Sequence, residues 1–400
     1  MTPRKILWYL CLIATILLFA FGVSTYFNSN TTNIIFSDKA ALQILWEDYK
    51  NNYLDKTTLR AIDKQSENIT TSEGQSYTLL RAVWVDDEDT FDKVFAWTVA
   101  NMQHKNNHLF AWLYGDLGNG GYGILSSKGG NNSATDADTD IALALLFGYS
   151  RWGNANYLNE AKLIINDIWQ NEVITVGTTS YVVADDLEKK SPDNILINPS
   201  YFSPYAYRIF SKVDPQHNWM SLVDSSYRVL QITSSSSLDK NSSAGLPPNW
   251  VLFNRNTGIF SPASYISGAS DFSFDALRVP WRIAIDYEWF KDPRAKAYLD
   301  TLSFFSREFE SRKYLASLYS HDGTVIDISE APSMYGGTIG YFKESDPTLA
   351  RKIYSLKLKA LFNPDSNSFI YPLSYYDANW VWFGIGLYTN LLPNLFSLKS

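Results

Sequence analysis

The chain contains one cysteine in 400 residues, and that one, Cys11, lies inside an apolar run. The rest of the sequence therefore has no disulfide, thiol nucleophile or thiolate metal ligand to draw on. Histidine is nearly as scarce. His104, His108, His217 and His321 are scattered, with no H-E-x-x-H or comparable spacing, and Asp136-Ala-Asp-Thr-Asp140 lacks the glycine and closing glutamate of a calcium loop. No metal and no cofactor is expected. Net charge is -7, with no block of Lys or Arg anywhere. This leaves out the concentrated positive stripe that a nucleic-acid backbone requires, and a neutral ligand fits more easily.

What is abundant is apolar and flat. Hydrophobic residues make up 46% and aromatics 16%, enough for a large core and for a cleft that stacks against sugars or bases. Ile6–Val23 is an unbroken apolar run preceded by Arg4 and Lys5, long for a signal peptide and just long enough to span a membrane. The expected layout is residues 1–5 as a cytoplasmic or n-region, 6–23 as an anchor or cleaved signal, 24–35 as a stalk, and 36–400 as one exported catalytic domain. Export holds whether the run is retained in a membrane or removed.

Beyond the stalk, apolar residues recur at helical spacing in segment after segment, each entered through a polar loop. Inner segments start at Glu73, Asp136, Ser200, Asp275, Ser333 and Asn379. Phe36–Tyr53 is expected as a surface helix, and further helices from Gln75 to Asp86, at Phe91–Met102, 137–150 and Ala155–Glu172. Others follow at 201–213, Trp219–Gln231, Ala276–Trp289, Pro293–Arg312, Ser333–Gly340, 347–360 and Asn379–Leu391. Residues 104–133 are too glycine-rich to be regular, and short strands are expected near 173–198 and after Tyr314. Six helical hairpins joined in this way close into a double ring whose inner helices point their N-termini at one face. The expected class is all-α, an (α/α)6 toroid with irregular loops and small strands at the cleft face. An open helical array or two domains would be the alternatives.

Carboxylates stand at those entrances. Asp136, Asp138 and Asp140 precede a run expected to bury Ile141, Leu143, Leu145, Leu146 and Phe147, although three aspartates in a first turn also serve as caps. Glu73 opens another segment, and Asp275 a third, with Arg278 three residues on to hold its carboxylate by a charge-assisted bond. One proton donor and one base are what inverting glycoside hydrolysis needs. A helix N-terminus favours an ionised carboxylate, which suits Asp275 as base and works against Glu73 as acid. Glu73 needs desolvation or a neighbouring negative charge, with Trp112 or Asp136 as the source.

SEGQSY at 72–77, ATDADTDIA at 134–142 and FDALRVPWR at 274–282, with NPSYFSP at 198–204, AWLYG at 111–115 and YYDANWVWFG at 375–384, resemble segments of glycoside hydrolase family 8. These are inverting endo-glucanases with a six-hairpin toroid, among them the cellulases encoded beside bacterial cellulose synthases. The resemblance implies Glu73 as general acid, Asp275 as general base, and Asp136 as the residue that grips and distorts the sugar at the cleavage point. It implies Arg278 beside the base, and Trp112, Tyr201, Phe274, Tyr375 and Tyr376 against substrate. Trp84, Trp97 and Trp289 are assigned to packing. The implied substrate is a β-1,4-glucan, the implied state a monomer, and an implied partner a polysaccharide synthesis complex, with the membrane reached through residues 6–23. Two departures stand out: Gly148 where the family usually has alanine, and Phe274 where a tyrosine is common before the base. Rival expectations are a xylanase or other β-1,4-glycanase, a non-catalytic carbohydrate-binding scaffold, and a lyase or uronide hydrolase on a similar toroid, for which clustered cleft cations beyond Arg278 and Arg282 are missing.

Overall fold

The computed structural model describes residues 37–118 and 120–397. The anchor or signal at 6–23 and the stalk at 24–35 lie outside the described residues. Among the described residues, no helix is long and apolar enough to cross a membrane.

Helices come in pairs, as expected. Asp38–Tyr53 (α1) is followed by Ser72–Val85 (α2) and Glu88–Met102 (α3), then Thr135–Trp152 (α4) and Ala155–Glu172 (α5). Pro204–Val213 (α6) pairs with Trp219–Ser235 (α7), and Arg278–Phe290 (α8) with Pro293–Thr301 (α9) and Phe304–Arg312 (α10). Pro332–Ser345 (α11) pairs with Pro347–Ile353 (α12), and Tyr375–Tyr388 (α13) is the last. The inner ring is α2, α4, α6, α8, α11 and α13. Turns from an inner to an outer helix are short, such as Asp86-Asp87 and Gly153-Asn154, and the long connections all lead from an outer to an inner helix. The loop-bearing face is therefore the face of the inner N-termini.

Several boundaries move. Helix α2 begins at Ser72 rather than near Gln75, because the Thr71 side chain accepts from the Gly74 amide and caps it. Glu73 thereby stands within the first turn. The stretch 293–312 is two helices rather than one, interrupted at Leu302-Ser303. The glycine-rich stretch 104–133 is more regular than expected: Leu113–Asp116 and Tyr122–Ile124 pair antiparallel, with Thr70–Thr71 on the other edge. The stretch before Ser273 also holds strands, since Val251–Asn254 pairs with Asn194–Ile197 and Phe260–Pro262. Helix α13 starts at Tyr375, four residues before the expected Asn379, where Ser374 caps it by accepting from the Asp377 amide.

The first helix lies on the surface, as expected, with one face exposed at Gln43, Glu47 and Asn51 and the other buried. Leu45, Trp46 and Tyr49 on α1 are 0–2% exposed, each burial contributing about 1.5–3 kcal/mol. It is the outer partner of α13: Trp382 Nε1 donates to the Leu42 carbonyl (2.9 Å) and Tyr53 Oη to the Leu373 carbonyl (2.7 Å). Arg81 on α2 ties α1 to α13 by donating to Asn379 Oδ1 (3.0 Å) and the Leu45 carbonyl (3.1 Å), its guanidinium stacked over Tyr49. On the inner ring α11 lies so close to its neighbours that a Cβ at Gly336 would meet the Trp380 carbonyl oxygen at 2.0 Å, and one at Gly340 the Pro280 carbonyl oxygen at 2.3 Å. Only glycine admits that approach. Gly148 in α4 has a milder reason: a Cβ there would stand 3.1 Å from the Tyr157 ring.

Candidate active site

Helix α4 buries Ile141, Leu143, Leu145, Leu146 and Phe147 completely, as its apolar run implied. Of its three aspartates, Asp136 serves the helix start, its Oδ1 accepting from the Ala137 amide at 2.9 Å. The N-cap, Ala134, makes no side-chain bond, and the aspartates divide by helical geometry. Positions 136 and 140 share one face, and 138 points elsewhere. Helix α8 presents Arg278 and Arg282 at the same four-residue spacing, so the two faces meet in two rungs. Arg282 grips Asp140 through both nitrogens (3.0 and 2.7 Å) and adds Ser203 Oγ (2.6 Å) and Tyr205 Oη (2.7 Å). One turn nearer the cleft, Arg278 Nη1 donates to Asp136 Oδ2 at 2.9 Å.

That same Nη1 also donates to Glu73 Oε2 (2.5 Å), while Nη2 donates to Asp275 Oδ1 (2.6 Å). One guanidinium, 2% exposed, thus gathers three carboxyl groups delivered by α2, α4 and the turn before α8. The bond from Arg278 to Asp275 follows from their spacing. Its reach to Glu73 and Asp136 does not, because those residues come from other hairpins.

The three carboxyls differ in surroundings. Asp136 is 2% exposed, and burial raises its pKa against the pull of Arg278 and Arg282. Glu73 is pushed up to about 7, mainly by desolvation; Arg278 opposes the shift, and Asp136 and then Asp275 add to it. Asp136 is a source of the negative charge, as expected, and the half-buried Trp112 lies beside the same turn, its carbonyl accepting from the Ser72 amide at 3.0 Å and its Nε1 donating to the Gly129 carbonyl at 2.9 Å. A protonated Glu73 can still accept from Arg278 through its carbonyl oxygen and keep its O–H for another acceptor. Asp275 is the most open of the three, with a third of its side chain exposed. It accepts from Asn198 Nδ2 (3.1 Å) on Oδ1 and from Trp250 Nε1 (2.9 Å) on Oδ2. A donor able to hold its proton near neutrality therefore shares one cation with a carboxylate surrounded by N–H groups.

The aromatic expectations divide. Tyr201, half-buried, lies under the Arg278 guanidinium (5.2 Å) and meets Trp250 edge to face. Phe274 is exposed and touches Tyr376, whose hydroxyl donates to the Phe274 carbonyl. Tyr375 requires correction. At 4% exposure it offers no face to a ligand: it packs against Tyr53, with its hydroxyl where a Gly74 side chain would be. Trp84, Trp97 and Trp289 pack against the core, as expected. Asn198 and Trp250 were not singled out by sequence. Asn198 belongs to the segment NPSYFSP, whereas Trp250 sits in a loop without motif or periodicity.

Residues 24–378 match the family model described as Glycosyl hydrolases family 8. Endoglucanase C of Ruminiclostridium cellulolyticum is 30% identical over 375 residues, covering 89% of this chain and 72% of that protein. An endo-1,4-D-glucanase structure from Vibrio fischeri ES114 is 25% identical with a TM-score of 0.70, covering 86% of this chain and 94% of that one. The GH8 xylobiose complex from Teredinibacter turnerae, at 20% identity, shares the fold with a TM-score of 0.69 over 91% of this chain and 96% of its own.

Proposed function

The chain belongs to glycosyl hydrolases family 8, and from that premise we propose that it cleaves β-1,4-glucan internally, with Glu73 as general acid and Asp275 as general base. It is a glycoside hydrolase, and inversion is the rule in its family. In the proposed reaction Glu73 gives its proton to the departing glycosidic oxygen while a water attacks the opposite face of the anomeric carbon and yields a proton to Asp275. Asp136, fixed by Arg278, holds hydroxyls of the sugar at the bond being cut. Tyr201, Tyr376, Phe274 and Trp112 are the rings offered to the glucan.

The observation that carries this reading is the single buried arginine holding Glu73, Asp136 and Asp275 together at the inner N-termini. A carbohydrate-binding scaffold has no use for a proton donor poised near neutrality beside a second carboxyl held by N–H donors. For cellular placement, the apolar run Ile6–Val23 supports export of the domain, through an anchor or a cleaved signal. Attachment to a membrane-bound polysaccharide synthesis complex would follow only if that run is retained.

The test is reducing-sugar release from carboxymethyl cellulose, mixed-linkage β-glucan, xylan and chitosan by wild type, Glu73→Gln and Asp275→Asn. Wild type is expected to favour the glucans, and each variant to lose at least about a hundredfold. Turnover unaffected by either substitution would refute the assignment of acid and base, and preference for xylan would move the substrate to the neighbouring β-1,4-glycan.

A further inference from the structure

We propose that Trp250 is a positioning residue that makes Oδ2 of Asp275 the atom that receives the proton of the attacking water. The inference rests on Asp275 being the base. A carboxylate oxygen has two in-plane lone pairs. Those of Oδ1 are both engaged, by Arg278 Nη2 at 2.6 Å and Asn198 Nδ2 at 3.1 Å. Among the described residues Oδ2 accepts only Trp250 Nε1, at 2.9 Å, which leaves it one lone pair free. A third of the side chain remains open to the cleft. The proton from water has one place to go.

The neighbouring residue makes this more than a chance contact. Asn249, 6% exposed, clamps the turn that carries Asp275: its Oδ1 accepts from the amides of Ser273 (3.2 Å) and Ala276 (3.1 Å), and its Nδ2 donates to Ser273 Oγ (2.9 Å). The Trp250 amide is itself fixed to the Ala269 carbonyl at 2.8 Å. Asn249 thus sets the backbone of the base and Trp250 its carboxylate plane, two consecutive residues acting on one group. In the step this serves, the water oxygen bonds to the anomeric carbon and its proton moves to Oδ2. The glycosidic C–O bond breaks toward the leaving oxygen, which takes the proton of Glu73.

Trp250→Phe keeps a six-membered ring to face Tyr201 and deletes the N–H together with part of the indole. On a soluble cello-oligosaccharide its kcat should fall about tenfold or more, the usual weight of a hydrogen bond to a charged group, with KM and the unfolding midpoint little changed. Trp250→His, which keeps a ring N–H, should recover part of that loss. In an Asp275→Asn background, Trp250→Phe should cost almost nothing further, because its effect passes through the carboxylate. A wild-type kcat in Trp250→Phe, a loss confined to KM, or full additivity with Asp275→Asn would each overturn the proposal. An Asp275→Asn variant that keeps its activity would instead overturn the assignment of the base, so the two failures are separable. If Trp250→Phe does not fold, the comparison of Trp250→His with wild type, alone and in the Asp275→Asn background, decides the matter by the same additivity criterion.

Discussion

Asp136 and Asp138 stand two residues apart on α4, both at 2% exposure or less, and meet opposite surroundings. Asp136 faces α8 and the guanidinium of Arg278. Asp138 faces away, accepts from the Phe110 amide (3.0 Å) and lies against Glu172 of α5, with no cation paired to it among the described residues. Burial and the second carboxyl drive Asp138 well above the carboxylate range, and burial pushes Glu172 up to about 8, even though Ser133 donates to it at 2.5 Å. The same helix therefore holds a carboxyl whose burial is opposed by cations and an acid pair that solves its burial by retaining a proton. Glu73 lies between these cases, half-buried with 23% of its side chain exposed and bonded to the cation like Asp136. That intermediate condition is what a general acid working near neutral pH needs.

Removing the cation should have the largest effect. Arg278→Leu removes the one cation bonded to all three carboxyls, and kcat/KM is expected to fall by at least about a hundredfold, with stability lower by about 3–5 kcal/mol in denaturant unfolding. Asp140→Asn tests the second rung. It leaves Arg282 buried and unneutralised, so a loss of about 3 kcal/mol is expected, while the folded fraction still hydrolyses glucan because Arg282 touches none of the three carboxyls at the cleft. An Asp140→Asn protein that is fully stable but inactive would place chemistry where only support is expected.

The acid pair should respond least near pH 5, and its effect should grow as pH rises. Glu172 has a folded pKa above its unfolded value, so between about pH 4.5 and 8 the folded state keeps a proton that the unfolded chain has released. Its contribution to stability is complete below that window and declines as pH rises through it, by up to about 1.4 kcal/mol per pH unit. Glu172→Gln mimics the protonated form. It should differ from wild type by less than about 1 kcal/mol at pH 5 and become progressively the more stable protein toward pH 8, with kcat at pH 6 unchanged. A stability difference that shrinks as pH rises would contradict protonation of the pair.

The sequence exposed one side of this comparison and concealed the other. The carboxylates at helix entrances and the arginine three residues after Asp275 are local patterns, and so is the hairpin order, because helix periodicity and capping act over a few residues. The partner of Asp138 is not local. Glu172 ends the following helix, Ser133 precedes α4, and nothing in their spacing announces that they meet. Tyr375 is expected against substrate through the resemblance of YYDANWVWFG, but consecutive helical residues point about 100° apart, and here Tyr375 turns into the core beside Tyr53. Trp250 was invisible for a third reason: its loop has no period, and its role comes from a single N–H aimed at a carboxylate.

The most direct test of the Glu73 assignment is the pH dependence of kcat/KM on a cello-oligosaccharide, measured for wild type from pH 4 to 9. A general acid held at about 7 in the free enzyme predicts a fall on the basic side centred near that value, proportional to the loss of the protonated Glu73. A rate that stays level to pH 9 would contradict the claim that Glu73 carries the proton.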